Sequence, residues 1–337
     1  MGLSSFGTKL RVFWVLAAAM LASGHSVLAA DKVVWRLGHT LTVPGTLYEK
    51  ILVEEMPARI AKASGGAVHV QPIIGMVKTN DVISALQQGR VELGDLTVAY
   101  TAATYPTWAV LNLPGLVDDT RLIAPIAKKI VVPAMAEDMK QWGIRPVVTL
   151  GWIGGAFFSN RRITTSTDFA GLKWRTHAPM LSKLITELGG STIGMPFEEL
   201  YPSLERRLVD SYTTTYPAMY SASLHKVTKY AIAASGGTSL AVLMVGEQAL
   251  SKLPADVRSK VVAELQAIDN EAGDRLYNES IQVISNLKRV GVEVITLSDA
   301  ENQKVIAAAK KAVWPEWRKQ AGEKGDKLIS QIENFKR

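Results

Sequence analysis

Residues Asp168–Tyr216 read DFAGLKWRTHAPMLSKLITELGGSTIGMPFEELYPSLERRLVDSYTTTY and show the clearest alternation of strands and helices in the chain. The predicted elements are, in order, a strand over Leu172–Thr176, a helix over Pro179–Leu188, a strand over Ser191–Gly194 and a short helix over 197–204. Such an alternation is typical of an α/β fold with a parallel sheet and crossover connections. Ligands of such sheets bind beyond the carboxyl ends of the strands, where this pattern places Arg175.

Arg175 is an unusual residue for the strand that carries it, because its neighbour Trp174 and the preceding Leu172 are apolar. Arginine is rarely buried without a partner. One reading is an edge-strand arginine that is solvated or paired with a nearby glutamate. The other is a guanidinium that grips a ligand carboxylate with two parallel hydrogen bonds. The strand residues alone leave both readings open.

Three motifs resemble the signature of the DctP-type solute-binding proteins of TRAP transporters. They are D-F-A-G-L-K-W-R ending at Arg175, P-F-E-E-L-Y-P-S-L starting at Pro196, and V-D at Val209-Asp210. An upstream G-x-x-K-x-x-D-V-I-S-A-L-Q-Q-G segment and the turn Leu113-Pro114-Gly115 follow the same pattern. The resemblance runs through the mature chain in order and length. It implies an α/β fold of two lobes with a hinge, mixed sheets and a long helix spanning both lobes.

The resemblance also implies the residues of a binding pocket. Arg175 is expected to bind the substrate carboxylate, and Phe197 to form an aromatic wall. Thr214 takes a place where relatives often carry a polar residue, commonly Asn, that assists the arginine. The first lobe is expected to contribute ligand contacts from its strand ends, at Thr40, Thr97 and Tyr100.

Two positions depart from the family pattern. Gly155 stands where many relatives carry a second arginine, and Ser211 stands where the glycine of V-D-G is usual. The first departure argues against a ligand that needs two cationic contacts, so a ligand with one essential carboxylate is predicted. Aromatic surface is expected to fill the space, from Trp152, Tyr212 and Tyr216, although each taken alone is more typical of a core residue.

The N-terminal residues predict a secretory signal peptide. Lys9 and Arg11 precede an apolar run over 12–22, which is shorter than the ~20 residues that a membrane span needs. Val27-Leu28-Ala29 forms an A-x-A-like site, so cleavage is expected after Ala29, with Ala30 as the alternative. The chain has no cysteine, which excludes disulfides, thiol catalysis, thiolate metal sites and a lipid-modified N-terminal cysteine. A periplasmic location without a lipid anchor follows.

The composition excludes several other classes of function. The formal net charge of the 337-residue chain is +7, but the basic residues occur as isolated doublets, so no nucleic-acid partner is expected. Neither GxSxG nor HExxH occurs. His177 is a candidate ligand donor or a solvated loop histidine, and Glu198-Glu199 do not converge on a helix. Neither an enzyme nor a cofactor is therefore expected.

The predicted organisation divides the mature chain into two lobes. The signal peptide covers 1–29, the first lobe 30–150 and 236–280, and the second lobe 151–235 and 281–337. Glycines suit crossovers between lobes, at Gly151–Gly155 and at Gly236-Gly237. A helical pattern from Pro254 through Leu287 would, at 1.5 Å per residue, reach roughly 50 Å, which exceeds one small domain.

These observations predict an extracytoplasmic receptor that binds an organic acid and delivers it to a TRAP-type permease driven by an ion gradient, without ATP. The predicted partners are a small carboxylate ligand and the membrane subunits of the permease. A ligand-sensing receptor would have the same sequence features and remains an alternative. A periplasmic enzyme acting on a small acid would need a set of titrating residues that the sequence does not display.

Overall fold

The polypeptide forms two mixed β-sheets with helices packed around them. The computed structural model describes residues 32–39, 43–78, 81–152 and 156–337, and describes Trp152 and Ser239 by their backbone alone. The predicted signal peptide, Thr40 and the 153–155 part of the predicted hinge lie outside the described residues. The interpretations made there stay predictions.

The first sheet has five strands in the order β2-β1-β3-β10-β4. They are β1 Val33–His39, β2 Val68–Ile74, β3 Leu93–Thr97, β4 Ile144–Trp152 and β10 Ser239–Gly246. β1 runs parallel to β2 and β3, whereas β10 is antiparallel to both of its neighbours, β3 and β4. The apolar run Leu240–Val245 lies in β10 and is fully buried, because a central strand with both faces covered has no solvent side.

The second sheet has six strands in the order β11-β9-β5-β8-β6-β7. They are β5 Ala156–Ser159, β6 Lys173–Thr176, β7 Ser191–Gly194, β8 Ser211–Thr214, β9 Tyr230–Ala233 and β11 Glu293–Thr296. β6 is parallel to β7 and β8, but β5 runs antiparallel to β8 and β9. The expectation of mixed sheets is thus confirmed, and the strands on either side of the 179–188 helix pair in parallel as predicted.

Twelve α-helices accompany the strands in the described ranges. They are α1 Leu47–Lys50, α2 Met56–Ala63, α3 Val82–Gln87, α4 Ile123–Ile126, α5 Val132–Lys140, α6 Pro179–Glu187, α7 Leu200–Glu205, α8 Tyr216–Ser221, α9 Glu247–Ser251, α10 Ala255–Arg289, α11 Asp299–Ala312 and α12 Trp314–Phe335. Short 3₁₀ segments include Val98–Thr101, Pro106–Asn112 and Phe197–Glu199. None of these helices is long and apolar enough to cross a membrane.

The predicted long helix is α10, which has 35 residues. Its first two-thirds, from Val257 to Leu276, pack into the core on the first sheet. Further along, Val283 and Leu287 pack into a core formed with the second sheet. The apolar stripe of one helix therefore serves both cores, which confirms the long helix spanning both sheets.

The chain passes between the two sheets at three places. β4 leads to β5 through 153–155, β9 leads to β10 through 234–238, and α10 leads back to β11. The C-terminal α12 also ties distant segments together, because the indole nitrogens of Trp314 and Trp317 donate to the carbonyl oxygens of Pro114 and Pro106. Residues from Val33 onward cluster as a single unit, so the lobe boundaries at 150, 235 and 280 stay a prediction.

Candidate functional site

A cleft opens where strand ends of the two sheets approach each other, and it encloses about 800 Å³ of empty space, part of it open to solvent. From the first-sheet side it is lined by Val43, Thr97, Tyr100 and Asn112. From the second-sheet side it is lined by Arg175, His177, Ala178, Met180, Leu181, Phe197, Thr214, Thr215 and Ala218, and the crossover adds Gly236, Gly237 and Thr238. A concave, mostly apolar site with a few convergent polar groups is the usual form of a small-molecule pocket.

Arg175 lines this cleft with only 2% of its surface exposed. Its Nε donates to the carbonyl oxygen of Met195 at 3.1 Å, and its Nη1 donates to the carbonyl oxygen of Thr213 at 3.2 Å. Two backbone acceptors on different segments therefore hold the plane of the guanidinium. Within the described ranges Nη2 has no hydrogen-bond partner and Arg175 makes no ion pair.

Burial is the main influence on the charge of Arg175. It lowers the pKa of the guanidinium, because a cation loses hydration in the protein interior, while Tyr100 and Glu198 act weakly in the opposite direction. The guanidinium carbon lies 5.8 Å from the ring centroid of Phe197, which is a cation–π distance. An arginine stays charged despite such a shift, so the cleft holds a desolvated cation that lacks a carboxylate partner among the described residues.

His177 lies in the same cleft and is neutral at neutral pH. Burial and the nearby charge of Arg175 lower the pKa of its imidazole to about 4. Its Nδ1 is 3.2 Å from the hydroxyl oxygen of Thr213, the residue whose carbonyl oxygen also accepts from Arg175. His177 can therefore offer a neutral hydrogen-bonding group to a ligand, but no second positive charge.

The ends of the first-sheet strands are held by a buried acid–base cluster beside the cleft. Nδ1 of His39, at the end of β1, is 3.1 Å from Oδ1 of Asp95 in β3, and the hydroxyl of Tyr48 donates to Oδ2 of Asp95 at 2.5 Å. Burial opposes the charged imidazole, but Asp95 and Glu49 outweigh it and raise the pKa of His39. These groups fix β1 and β3 relative to α1, and hence the position of the strand end at Thr97.

Four of the residues predicted for the pocket line the cleft together with Arg175. They are Phe197, Thr214, Thr97 and Tyr100. Phe197 also packs against both the first-sheet and the second-sheet cores, and Tyr100 is 38% exposed. Thr40 and the side chain of Trp152 lie outside what the structure describes, so their proposed roles stay predictions.

Tyr212 and Tyr216 do not line this cleft, which corrects their assignment to the pocket. The ring of Tyr212 stacks on Phe158 and its hydroxyl lies 3.0 Å from that of Thr228. Tyr216 packs edge-on against Phe158 and borders a second cavity, which shares Gly236, Gly237 and Thr238 with the cleft. Both are core residues, because aromatic rings bury the most apolar surface when they pack against one another.

Asn112 and the crossover residues are cleft residues that the sequence interpretation missed. Asn112 closes the 3₁₀ segment Pro106–Asn112, and its Nδ2 donates to the carbonyl oxygen of Thr238 at 2.6 Å. A lone asparagine inside the apolar run that leads to Leu113-Pro114 is the signal that could have identified it, since a buried polar side chain needs a structural or ligand partner. Nothing in the sequence, in contrast, connects residue 112 with residue 238.

The described residues contain no group of three or more His, Cys, Asp or Glu side chains that could hold a metal ion. Of the cleft residues that can carry a charge, only Arg175 has a permanent one. The chemistry available in the cleft is therefore recognition of one anionic group by a fixed guanidinium, surrounded by hydroxyl, amide and apolar groups.

Comparisons with known proteins agree with this geometry. The model of the DctP family, bacterial extracellular solute-binding protein family 7, matches residues 37–320. The C4-dicarboxylate-binding periplasmic protein DctP of Vibrio cholerae is 23% identical, over 91% of this chain and 90% of its own length.

Two solved structures share the fold. An extracytoplasmic solute receptor of Bordetella pertussis that binds pyroglutamic acid superimposes with a TM-score of 0.80 at 17% identity, covering 89% of this chain and 99% of its own. A marine metagenome TRAP solute-binding protein specific for aromatic acid ligands, in complex with 3-hydroxybenzoate, gives a TM-score of 0.78 at 19% identity, covering 90% and 98%. At these identities the likeness concerns the fold alone.

Proposed function

The chain belongs to the DctP family of bacterial extracellular solute-binding proteins, and from that premise we propose that it is an organic-acid receptor of a TRAP transporter. In this proposal Arg175 binds the carboxylate of the solute inside the cleft. The receptor then delivers the solute to a TRAP permease in the membrane.

The observation that carries the proposal is the environment of Arg175. A guanidinium that is 2% exposed and makes no ion pair within the described ranges is costly to keep in the interior. Backbone carbonyls hold Nε and Nη1 in place, and Nη2 has no protein partner in the described part of the chain. Such preorganisation favours an anionic ligand. The ligand supplies the negative charge that the guanidinium lacks as a partner, and the guanidinium needs no further ordering when the ligand binds.

The topology supports a receptor that closes around its ligand. The cleft takes Thr97 and Asn112 from first-sheet elements and Arg175 and Thr214 from the second sheet. A ligand that touches both sides favours the arrangement in which the sides are close, which is how hinge closure works in periplasmic binding proteins. The cleft residues described above recognise a solute, and the binding chemistry does not require turnover.

We further propose a periplasmic location. Its support is the positively charged N-terminal segment, the apolar run over 12–22 and the cleavage pattern at Val27-Leu28-Ala29. Members of this family are extracellular solute-binding proteins. The absence of cysteine leaves no residue for N-terminal lipid attachment in this sequence.

Calorimetric titration with acids and their carboxamides tests the carboxylate requirement. Pyroglutamate, 3-hydroxybenzoate and malonate are the acids, and each is paired with the amide of the same skeleton. At least one acid is expected to bind, and its amide to bind at least about a hundredfold more weakly, because a charge-assisted pair with Arg175 is lost. An amide that binds as tightly as its acid would rule out the carboxylate–Arg175 interaction. Mass spectrometry of small molecules released from the natively purified protein extends the test to acids outside this set.

A further inference from the structure

Two unpaired polar atoms mark the part of the cleft that Arg175 does not occupy. Among the described residues, five buried side-chain nitrogen or oxygen atoms have no hydrogen bond of normal geometry, and two of them, Thr97 Oγ1 and Asn112 Oδ1, belong to residues that line this cleft. The hydroxyl of Thr97 also lies near the hydroxyl of Tyr48, which already donates to Asp95. Buried polar groups in folded proteins are normally paired. Two such atoms in one cleft are positions where a bound molecule can supply the partners.

The orientation of the Asn112 amide follows from its neighbour. The group that faces it is the carbonyl oxygen of Thr238, 2.6 Å away, which can only accept a hydrogen bond. The amide nitrogen must therefore point at Thr238, and the unpaired atom is the oxygen Oδ1. Since an amide oxygen accepts and does not donate, its missing partner is an O–H or N–H group.

Thr97 adds a second neutral group on the same side. Thr97 is the last residue of β3 and is 3% exposed, and Asn112 is 9% exposed. Both belong to elements that pair with the first sheet, whereas Arg175 lies on β6 of the second sheet. The cleft thus has its one permanent charge on the second-sheet side and these two neutral groups on the first-sheet side.

The first-sheet side of the cleft does not suit a second carboxylate. His177, the other titratable nitrogen of the lining, is neutral above its pKa of about 4. A carboxylate placed at Asn112 would face the partial negative charge of Oδ1 in a buried setting, while Arg175 is already paired with the first carboxylate. Uncharged hydroxyl or N–H groups have no such cost.

We propose that the cleft selects monocarboxylic acids that carry a neutral O–H or N–H donor at the end remote from the carboxylate, with Asn112 and Thr97 as the residues that determine this specificity. The inference rests on the proposed carboxylate–Arg175 pairing and adds the recognition of the remote end. Acids that lack the donor leave Oδ1 of Asn112 unpaired in the closed cleft, and dicarboxylates place a charge where none is compensated.

A matched set of probes separates these possibilities. Every probe keeps one carboxylate and carries a hydroxyl, methoxy, methyl or second carboxylate group as the remote group. Three skeletons are used, which are benzoate substituted at the 3-position, benzoate substituted at the 4-position and a four-carbon chain substituted at its end. Calorimetric titration should give the tightest binding for a hydroxyl member, at least about tenfold weaker binding for its methyl counterpart, and weaker binding again for the dicarboxylate. The methoxy member reports on Asn112, because an ether accepts from Thr97 but donates nothing to Oδ1.

The Thr97→Val variant tests the second residue. Valine keeps the branched shape and removes the hydroxyl, and thermal unfolding with circular dichroism establishes that the variant is folded. The advantage of the hydroxyl probe over the methyl probe should shrink several-fold, and the ratio of the two Kd values is the readout. Asn112 itself is not replaced, because its Nδ2 holds the crossover at Thr238.

The outcomes distinguish this inference from the proposed function. Equal affinities across the hydroxyl, methoxy and methyl members, or a dicarboxylate that binds tightest, would overturn the inference and assign the two polar atoms to ordered water. If Arg175→Met abolishes binding while the parent binds the hydroxyl, methoxy and methyl probes with equal affinity, the proposed carboxylate receptor is supported and only the specificity for the remote group is wrong. If Arg175→Met binds every probe like the parent, or no probe binds the parent at millimolar concentration, both fail.

Discussion

Gly237 lies against the backbone of Asn112, so closely that a Cβ built on the glycine would stand 3.0 Å from the carbonyl carbon of Asn112 and closer still to its oxygen. Gly237 also has a φ of +84°, a conformation that glycine adopts without steric cost. The next residue, Thr238, donates its backbone N–H to Leu111 and accepts from Asn112. The crossover between the sheets is thereby attached to the segment that lines the cleft.

We expect Gly237→Ala to lower the free energy of unfolding by more than the strain of its φ angle alone would explain. The left-handed conformation costs an alanine roughly 1–2 kcal/mol, and the collision with Asn112 adds to it. Gly291→Ala is the matched control, since Gly291 has a φ of +88° and open space around its Cβ position. Urea unfolding should show a loss of about 1 kcal/mol for Gly291→Ala and a loss at least twice as large for Gly237→Ala. Equal losses of unfolding free energy in the two variants would mean that the backbone at Asn112 moves away from the added methyl group without destabilising the protein.

Removal of the Arg175 guanidinium should weaken ligand binding strongly. Truncating one partner of a buried charge pair costs about 2–5 kcal/mol. At about 1.4 kcal/mol per tenfold, Arg175→Ala should raise the Kd by roughly 30-fold to several thousandfold. Arg175→Lys keeps the charge but loses the planar fork, so it should recover only part of the affinity. Titration calorimetry with the tightest acid measures both.

Arg206→Ala is the matched control for Arg175→Ala. Arg206 is exposed at the end of α7, so its replacement removes the same charge from the surface and leaves the cleft unchanged. Circular dichroism establishes that each variant is folded. A folded Arg175→Ala protein that binds like the Arg206→Ala protein would make Arg175 a structural residue and the proposed site wrong.

The imidazole of His177 should make the ligand-free protein less stable in acid. Its pKa is lowered to about 4 in the folded chain from an ordinary value of 6.5. Between these values the unfolded chain binds the proton and the folded chain does not, so the free energy of unfolding falls as the pH falls from 6.5 to 4. At 1.36 kcal/mol per pKa unit a shift of this size corresponds to about 3 kcal/mol.

Replacement of His177 by asparagine, which keeps a polar atom near Thr213, should remove this part of the pH dependence. Urea unfolding of parent and His177→Asn at pH 7 and pH 4.5 gives the comparison, and His69→Asn removes an exposed imidazole as a control. Parallel pH profiles for the parent and His177→Asn would contradict the lowered pKa.

Ligand binding should bring the two sheets closer together. A solute held by Arg175 on one side and by first-sheet residues on the other stabilises the closed arrangement by its differential affinity. Small-angle scattering should show a smaller radius of gyration at saturating acid, and Arg175→Met should show no change under the same conditions. An unchanged radius in the parent at saturation would refute closure from an open form.

The signal sequence should be absent from the mature protein. Intact-mass analysis and N-terminal sequencing of the periplasmic fraction are expected to find a chain that begins at Ala30, or at Asp31 if cleavage follows Ala30. A Leu28→Arg variant, which charges the cleavage region, should accumulate as the unprocessed precursor. Recovery of the parent with Met1 retained, or in the membrane fraction, would contradict the predicted processing.

Local sequence patterns were sufficient for the main elements of the second sheet. Glycine pairs and turn residues bound the segment from β6 to α7, and the helical spacing from Pro254 predicts α10 almost to its ends. The placement of Arg175 near the end of a strand was likewise predictable. Its apolar neighbours indicate a buried strand, and Pro179 four residues later marks the start of the next helix. The assignment of Phe197, Thr214, Thr97 and Tyr100 to one cleft depended on the family resemblance, since no spacing rule relates them.

The amino-acid sequence on its own accounts for elements whose stabilising interactions lie a few residues apart, such as the strand at Arg175 and the 35-residue helix. It does not account for pairs such as Asn112 with Thr238 or His177 with Thr213, which are 126 and 36 residues apart and meet only when the sheets assemble. The same holds for Tyr212 and Tyr216, whose burial depends on how β8 and α8 pack. Hydrogen bonding, desolvation and the lowered pKa of His177 are set by such neighbours in space, and that is why the chemistry of the cleft appears only in the folded chain.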